Sequence, residues 1–140
     1  MKLKKTDREE LRMKFGGKCA YCGYELPEKG WHADHIESVM RESVWQRSTD
    51  DRPGKFVSTG KLWRPENDRK DNLAPSCYAC NISKGACDLE QWRKWLECGV
   101  TERLRRDMSA FRHAERFGRV IVNEGPLVFW FEQFVAEKAA

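Results

Sequence analysis

At 140 residues, with 34% charged side chains and a formal net charge of +4, the chain has the length of one modest domain. Its longest apolar run, "PLVFWF", is far too short for a membrane span, and the basic start "MKLKKTDREE" has no apolar stretch behind it, so no secretory signal is expected there. The expected setting is cytoplasmic and reducing, where paired cysteines indicate metal sooner than disulfide.

The charge is distributed in blocks. Residues 1–18, 41–70 and 93–119 carry +4, +3 and +4, and the segments between them are acidic. Such blocks suit a nucleic-acid partner without proving one, and a solvated surface accounts for them equally well.

Thr6 and Glu9 have the spacing of a capping box for a helix over "DREELRMKF", ended by Gly16 and Gly17. "CAYC" follows. Residues 30–36 read as a short strand that puts Trp31, Ala33 and His35 on one face and His32, Asp34 and Ile36 on the other. A regular strand separates Asp34 from His35, so one of them is expected where the strand ends or bulges. Residues 37–70 lack sustained periodicity and contain the turn-forming "DDRPGK" and "WRPEND"; a long irregular loop is expected there, and such loops are usually functional.

"DNLAPSC" reads as an extended segment and "YACNISK" as a short helix closing at Gly85. Asp88 can cap "LEQWRKWLECG", with Leu89, Trp92, Trp95 and Leu96 at helical spacing and Gly99 past its end. A basic helix is expected over "ERLRRDMSAFRHAERF", with Leu104, Met108, Phe111 and Phe117 inward and Gly118 as its stop. "VIV", "NEGP" and "LVFWFE" suggest a β-hairpin, with a helix from Pro126 onward as the alternative.

Cys19 and Cys22 form one C-x-x-C pair, and Cys77 and Cys80 form another. Each pair offers two thiolates from one tight turn, and the four together can close a tetrahedral, structural Zn²⁺ site with no open position. The spacer is much longer than in a compact zinc finger, so something else is folded between the knuckles: the segment holding His32, Asp34, His35 and Asn72. Cys87 and Cys98 have no partner motif and read as idle thiols.

Taken together, "HADHI", "DNLAPSCYACN" and the trailing "SKG" resemble the HNH nuclease superfamily, in its variant with two zinc-binding C-x-x-C pairs, over roughly residues 15–85. His35 matches the first His of that motif, Asn72 the middle Asn and Asn81 the last position, which is His in many members. A nearby proline common after "DHI" is replaced here by "ESVM". The resemblance implies an α+β fold with a ββα-metal core, a structural zinc and flanking helices. Residues 1–140 then form one nuclease domain, with a core at about 15–85 and an extension of helix and hairpin at about 88–140.

The residues themselves suit that chemistry. Phosphodiester hydrolysis needs a base for water, a cation at the leaving oxygen and groups that fix both. A neutral His35 can be the base, and Asp34 with Asn81 supplies hard oxygens that suit Mg²⁺ or Mn²⁺. Asn72 is expected to orient the His35 loop by hydrogen bonds, and His32 to take a supporting or purely structural place. Lys84, Arg103, Arg105, Arg106, Arg112 and Arg116 are candidate contacts to the backbone of DNA, expected to be double-stranded. The expectation is thus a DNA endonuclease. The rival is a zinc-ribbon module that binds nucleic acid without cutting it.

Overall fold

The computed structural model describes residues 2–49 and 52–139. Asp50 and Asp51, the start of the expected "DDRPGK" turn, lie outside the described residues. Helix α1 (Lys5–Met13) opens the chain. It starts one residue before the expected cap: the Lys4 backbone N–H donates to Asp7 Oδ2 at 3.0 Å, so Asp7, not Glu9, closes its first turn. The helix is fastened to the first sheet by Lys14, whose ammonium donates to the Leu73 carbonyl at 3.0 Å, and by Arg8, whose guanidinium lies 4.3 Å over the Trp31 ring.

That sheet joins two strands distant in sequence, β1 (His32–His35) and β4 (Leu73–Ser76), antiparallel with His32 opposite Ser76 and His35 opposite Leu73. β4 is buried along its whole length, as its apolar "LAP" demands. Helix α2 (Tyr78–Lys84) follows directly, and Gly85 ends it at φ +54°, a left-handed conformation that glycine reaches without strain.

Residues 37–70 are not the irregular loop that their aperiodicity suggests. They contain a second antiparallel pair, β2 (Arg41–Gln46) and β3 (Lys55–Leu62), with a register irregularity between Arg41 and Ser43. Both faces of this hairpin are largely exposed, so neither carries the hydrophobic alternation by which a half-buried strand is read. Two short 3₁₀ turns, Pro65–Asn67 and Lys70–Asn72, return the chain to β4.

Asp88 caps α3 (Leu89–Lys94) as expected, its Oδ1 accepting from Glu90 N at 2.9 Å and Gln91 N at 3.3 Å. Gly99 does not end the helix. A π-helical segment, Trp95–Gly99, carries it into α4 (Val100–Asp107). Trp95 is exposed, because its indole lies across the Gly99 backbone. The expected single basic helix is broken at Met108, and α5 (Ser109–Arg116) follows. Arg112 explains the break: its guanidinium donates to the carbonyls of Arg105 and Arg106, capping the end of α4 with a side chain from α5. Met108 and Phe117 are exposed and not inward as their spacing suggests.

No C-terminal hairpin forms among the described residues; the chain runs without regular secondary structure and then enters α6 (Trp130–Ala139), so the helical alternative holds, starting four residues after Pro126. The β-forming "LVFWF" is overridden by tertiary packing. Phe129 is almost wholly buried, stacked on Trp92 with ring centroids 5.3 Å apart and edge-on to Tyr21 at 5.7 Å. Arg93 holds this segment from α3, donating to Leu127 O at 2.6 Å and pairing with Glu132 at 2.6 Å. One continuous core therefore runs from Leu11 and Phe15 through Tyr21, Trp31, Leu73 and Trp92 to Phe129, and the β2–β3 hairpin contributes nothing to it. The architecture is mixed α+β with two small two-stranded sheets. Among the described residues no helix is long and apolar enough to cross a membrane.

Candidate metal centre and adjoining cleft

Gly23, at φ +72°, folds the first cysteine pair into a tight turn in which Cys19 N donates to Tyr24 O at 2.8 Å and Gly23 N to Cys19 O at 3.0 Å. The second pair sits at the start of α2, where Cys77 is the N-cap and its sulfur accepts from Cys80 N at 3.5 Å. Ala20 N donates to Pro75 O at 2.8 Å and locks the first turn to β4, bringing the two pairs face to face. Trp130 N and Phe131 N donate to Tyr21 O and Ala20 O at 3.0 and 2.8 Å, so the start of α6 clamps the same turn from behind.

The four sulfurs lie within 4.8 Å of one another, and Cys22 Sγ and Cys77 Sγ are 3.8 Å apart. A tetrahedron with Zn–S bonds of about 2.3 Å has sulfur separations of about 3.8 Å, so the cluster fits zinc with little adjustment. Four thiolates fill the tetrahedron, which suits a structural ion. Without a cation the sulfurs must share protons: bonding from Cys80 holds Cys19 down to about 4, burial pushes Cys22 up to about 11, and Cys80 is raised foremost by its bond to Cys19. A dication removes that conflict by stabilising all four thiolates together. Cys87 and Cys98 stand apart, exposed, with Cys98 Sγ donating to Lys94 O.

β1 leads from this cluster to a cleft of about 450 Å³, lined by His32, Asp34, His35, Met40, Arg41 and Asn81 among others. Asp34 and His35 are neighbours in β1, His35 stands at its last position, and both line the cleft. Asp34 is nearly buried. Its Oδ2 accepts from the Tyr21 hydroxyl at 2.6 Å and pairs with Lys84 Nζ at 3.1 Å. Burial and the neighbouring Asp34 charge raise the Tyr21 phenol far above its ordinary range, so it acts as a fixed donor.

Lys84 requires a correction. Its side chain is 0% exposed, and its ammonium also donates to His35 O at 2.8 Å, so it cannot reach a phosphate outside the protein. Instead it neutralises Asp34 and pins the carbonyl of His35. A buried lysine survives in this way only when paired and hydrogen-bonded.

His35 Nε2 lies 3.0 Å from Asp68 Oδ1. A carboxylate can only accept, so this bond assigns the hydrogen to Nε2 and leaves Nδ1 as the basic nitrogen. Asn72 is buried and stitches the chain on either side of the turn: its Oδ1 accepts from Glu37 N at 3.0 Å, and its Nδ2 donates to Glu37 O at 2.9 Å and Asn67 O at 2.8 Å. Its carbonyl accepts from Ile36 N at 2.9 Å, one residue beyond His35. Asn72 therefore holds the His35 turn without lining the cleft itself. Asn81 lines the cleft from α2, and His32 lies on its rim with its ring centroid 5.8 Å from that of Tyr78.

Tyr21 and Asp68 are the participants that sequence reading missed. Tyr21 looks like a spacer inside "CAYC", and Asp68 lies in an aperiodic stretch 33 residues from its histidine. The arginines of the C-terminal helices lie in a separate region. Arg105 pairs with Glu115 at 2.8 Å, Arg106 with Asp107 at 2.8 Å and Arg103 with Asp107 at 3.5 Å, while Arg112 caps α4. Arg116 is exposed. Most of these charges thus already serve the α4–α5 pair. Comparison with protein-family models, curated proteins and solved structures finds no match for the chain.

Proposed function

We propose that this chain is a metal-dependent endonuclease of the HNH superfamily, hydrolysing phosphodiester bonds of DNA, with β1, β4 and α2 as a ββα-metal core braced by a structural zinc on Cys19, Cys22, Cys77 and Cys80. The observation that carries the reading is a single cleft lined by His35, Asp34 and Asn81, in which His35 has Asp68 on Nε2 and its other ring nitrogen outside that bond. Nδ1 takes the proton of an attacking water. Asp68 accepts from the imidazolium that results and holds its ring plane.

The carboxylate of Asp34 and the amide oxygen of Asn81 are hard donors that suit Mg²⁺ or Mn²⁺, and Tyr21 and Lys84 occupy only Oδ2 of Asp34. A cation held there supplies positive charge to the scissile phosphate and its leaving oxygen. Lys84 pairs with Asp34 and pins the carbonyl of His35, and Asn72 fixes the turn that carries His35. His32 stands in support at the rim.

One observation favours the non-catalytic rival: Lys84 already compensates the charge of Asp34, so the carboxylate has no need of a metal. Incubating the purified chain with supercoiled, linear and branched DNA, with and without Mg²⁺ or Mn²⁺, separates the two. Metal-dependent cleavage that disappears in folded, zinc-loaded His35→Ala is expected. Binding without cleavage on every DNA and with both metals overturns the enzyme in favour of the module.

A further inference from the structure

The β2–β3 hairpin is the part of the molecule that its own core does not explain. It places no side chain in the core cluster, yet it presents two large aromatics, Trp45 at 57% and Phe56 at 70% exposure, as a cross-strand pair. Their rings meet edge to face with centroids 5.1 Å apart. Trp45 is not loosely displayed: its indole lies so close over Gly54 that a Cβ there would meet ring carbons at 2.6 and 2.8 Å. Only glycine lets the ring seat against the backbone. The result is a rigid aromatic surface, oriented before any partner arrives.

Two further observations identify the partner. Residues 41–64 hold six Lys and Arg against three Asp and Glu, so the aromatics stand in a net positive field. The base of the hairpin is also continuous with the cleft. Met40 and Arg41 line it, and Trp63 N and Arg64 N donate to Met40 O and Val39 O at 2.9 and 3.1 Å, fixing the hairpin to its rim. A polyanion in the cleft therefore runs along the hairpin. The aromatics lie on the face of the ribbon, with the Gln46 and Lys55 pair between them and the tip. A wedge that opens a duplex belongs at a tip; a ring on the face serves as a platform for a base already out of its stack.

We propose that Trp45 and Phe56 form a stacking platform for unpaired bases, so that the hairpin directs the cleft to DNA with a single-stranded segment beside the phosphate it engages. The inference rests on the reading of DNA as partner, and replaces the expectation of an uninterrupted duplex. The arrangement is the one single-strand binders use, with cationic side chains along the backbone and π-faces for the bases.

The test is anisotropy with a fluorescein-labelled 20-mer of mixed sequence, its perfect duplex and an abasic strand of the same length, in buffer without added divalent metal. Trp45→Ala and Phe56→Ala are each expected to weaken single-strand binding by about 5- to 100-fold, and duplex binding by less than about twofold. Trp45→Phe should retain most of the affinity, and wild-type protein should bind the abasic strand as weakly as Trp45→Ala binds the normal one. Zinc content and melting temperature of the variants should match wild type. Equal losses on single strand and duplex, undiminished wild-type binding to the abasic strand, or no loss in folded variants overturns the platform. If wild type shows the stacking pattern but cuts no DNA with Mg²⁺ or Mn²⁺, the nuclease reading fails and the platform stands. If wild type cuts and both variants bind and cut like it, the platform alone fails.

Discussion

The four-cysteine cluster and the His35 cleft share one frame of β1, β4 and α2, yet they are built on opposite principles. The cluster is turned in on itself, with Cys19 buried, Cys77 and Cys80 half-buried and Cys22 exposed. Its sulfurs have each other, backbone N–H donors and the clamp of α6. The cleft is anchored only from behind: Tyr21, Lys84, Asp68 and Asn72 fix the backs of Asp34 and His35, and the other side of about 450 Å³ is open. A closed site spends its donors on the fold, whereas an open site withholds some of them for a ligand. The structural and the chemical job can thus lie about one strand apart without interfering.

The sharpest way to break this division is to remove one sulfur. Cys19→Ser or Cys77→Ser should abolish zinc retention and with it cooperative folding, since a structural Zn²⁺ contributes on the order of 10 kcal/mol or more to such sites. Elemental analysis and far-UV circular dichroism check this. A zinc-free protein that melts like wild type would make the cluster incidental.

Next in size is His35→Ala, expected to lower single-turnover cleavage by about 10²- to 10⁴-fold while zinc content and melting temperature stay unchanged. Asp68→Asn should fall between wild type and His35→Ala, because it keeps a partner for Nε2 without its charge. Near wild-type cleavage by His35→Ala would remove the histidine from the mechanism.

Lys84→Met probes the wall between the two sites. It leaves the nearly buried Asp34 with only Tyr21, at a cost of roughly 3 kcal/mol, read as a lower urea midpoint. Zinc should still bind, because Lys84 touches no cysteine among its bonded partners. Cleavage lost with zinc intact is the expected pattern, and zinc lost with it would mean that the two sites are one cooperative unit.

The smallest effect is expected from the C-terminal arginines. Arg105→Ala with Arg106→Ala should weaken DNA binding only a few-fold across sequences and flatten its salt dependence slightly, since both already pair with neighbouring carboxylates. A large sequence-dependent loss would move the recognition surface from the hairpin to α4.

The cysteine cluster was legible from the chain because C-x-x-C spacing is local, and two turns of that kind have few other uses. The cap at Asp88 and the extended segment at "LAPS" were legible for the same reason, each depending on a handful of neighbouring residues. The β2–β3 hairpin was not, because strands exposed on both faces leave no periodic trace, and the Trp45–Phe56 pair exists only through its register. The C-terminal segment was misread toward a hairpin because "LVFWF" favours strands in isolation, while in the fold Phe129 is needed against Trp92 and Tyr21. Lys84 is the plainest case. Next to a polar motif in a basic chain a lysine reads as a phosphate contact, and only the placement of α2 against β1 shows that its charge is consumed by Asp34. Local spacing determines which chemistry this chain can carry; which charges remain for a ligand depends on contacts between distant residues, such as Lys84 and Asp34 at 50 positions apart, which only the tertiary structure decides.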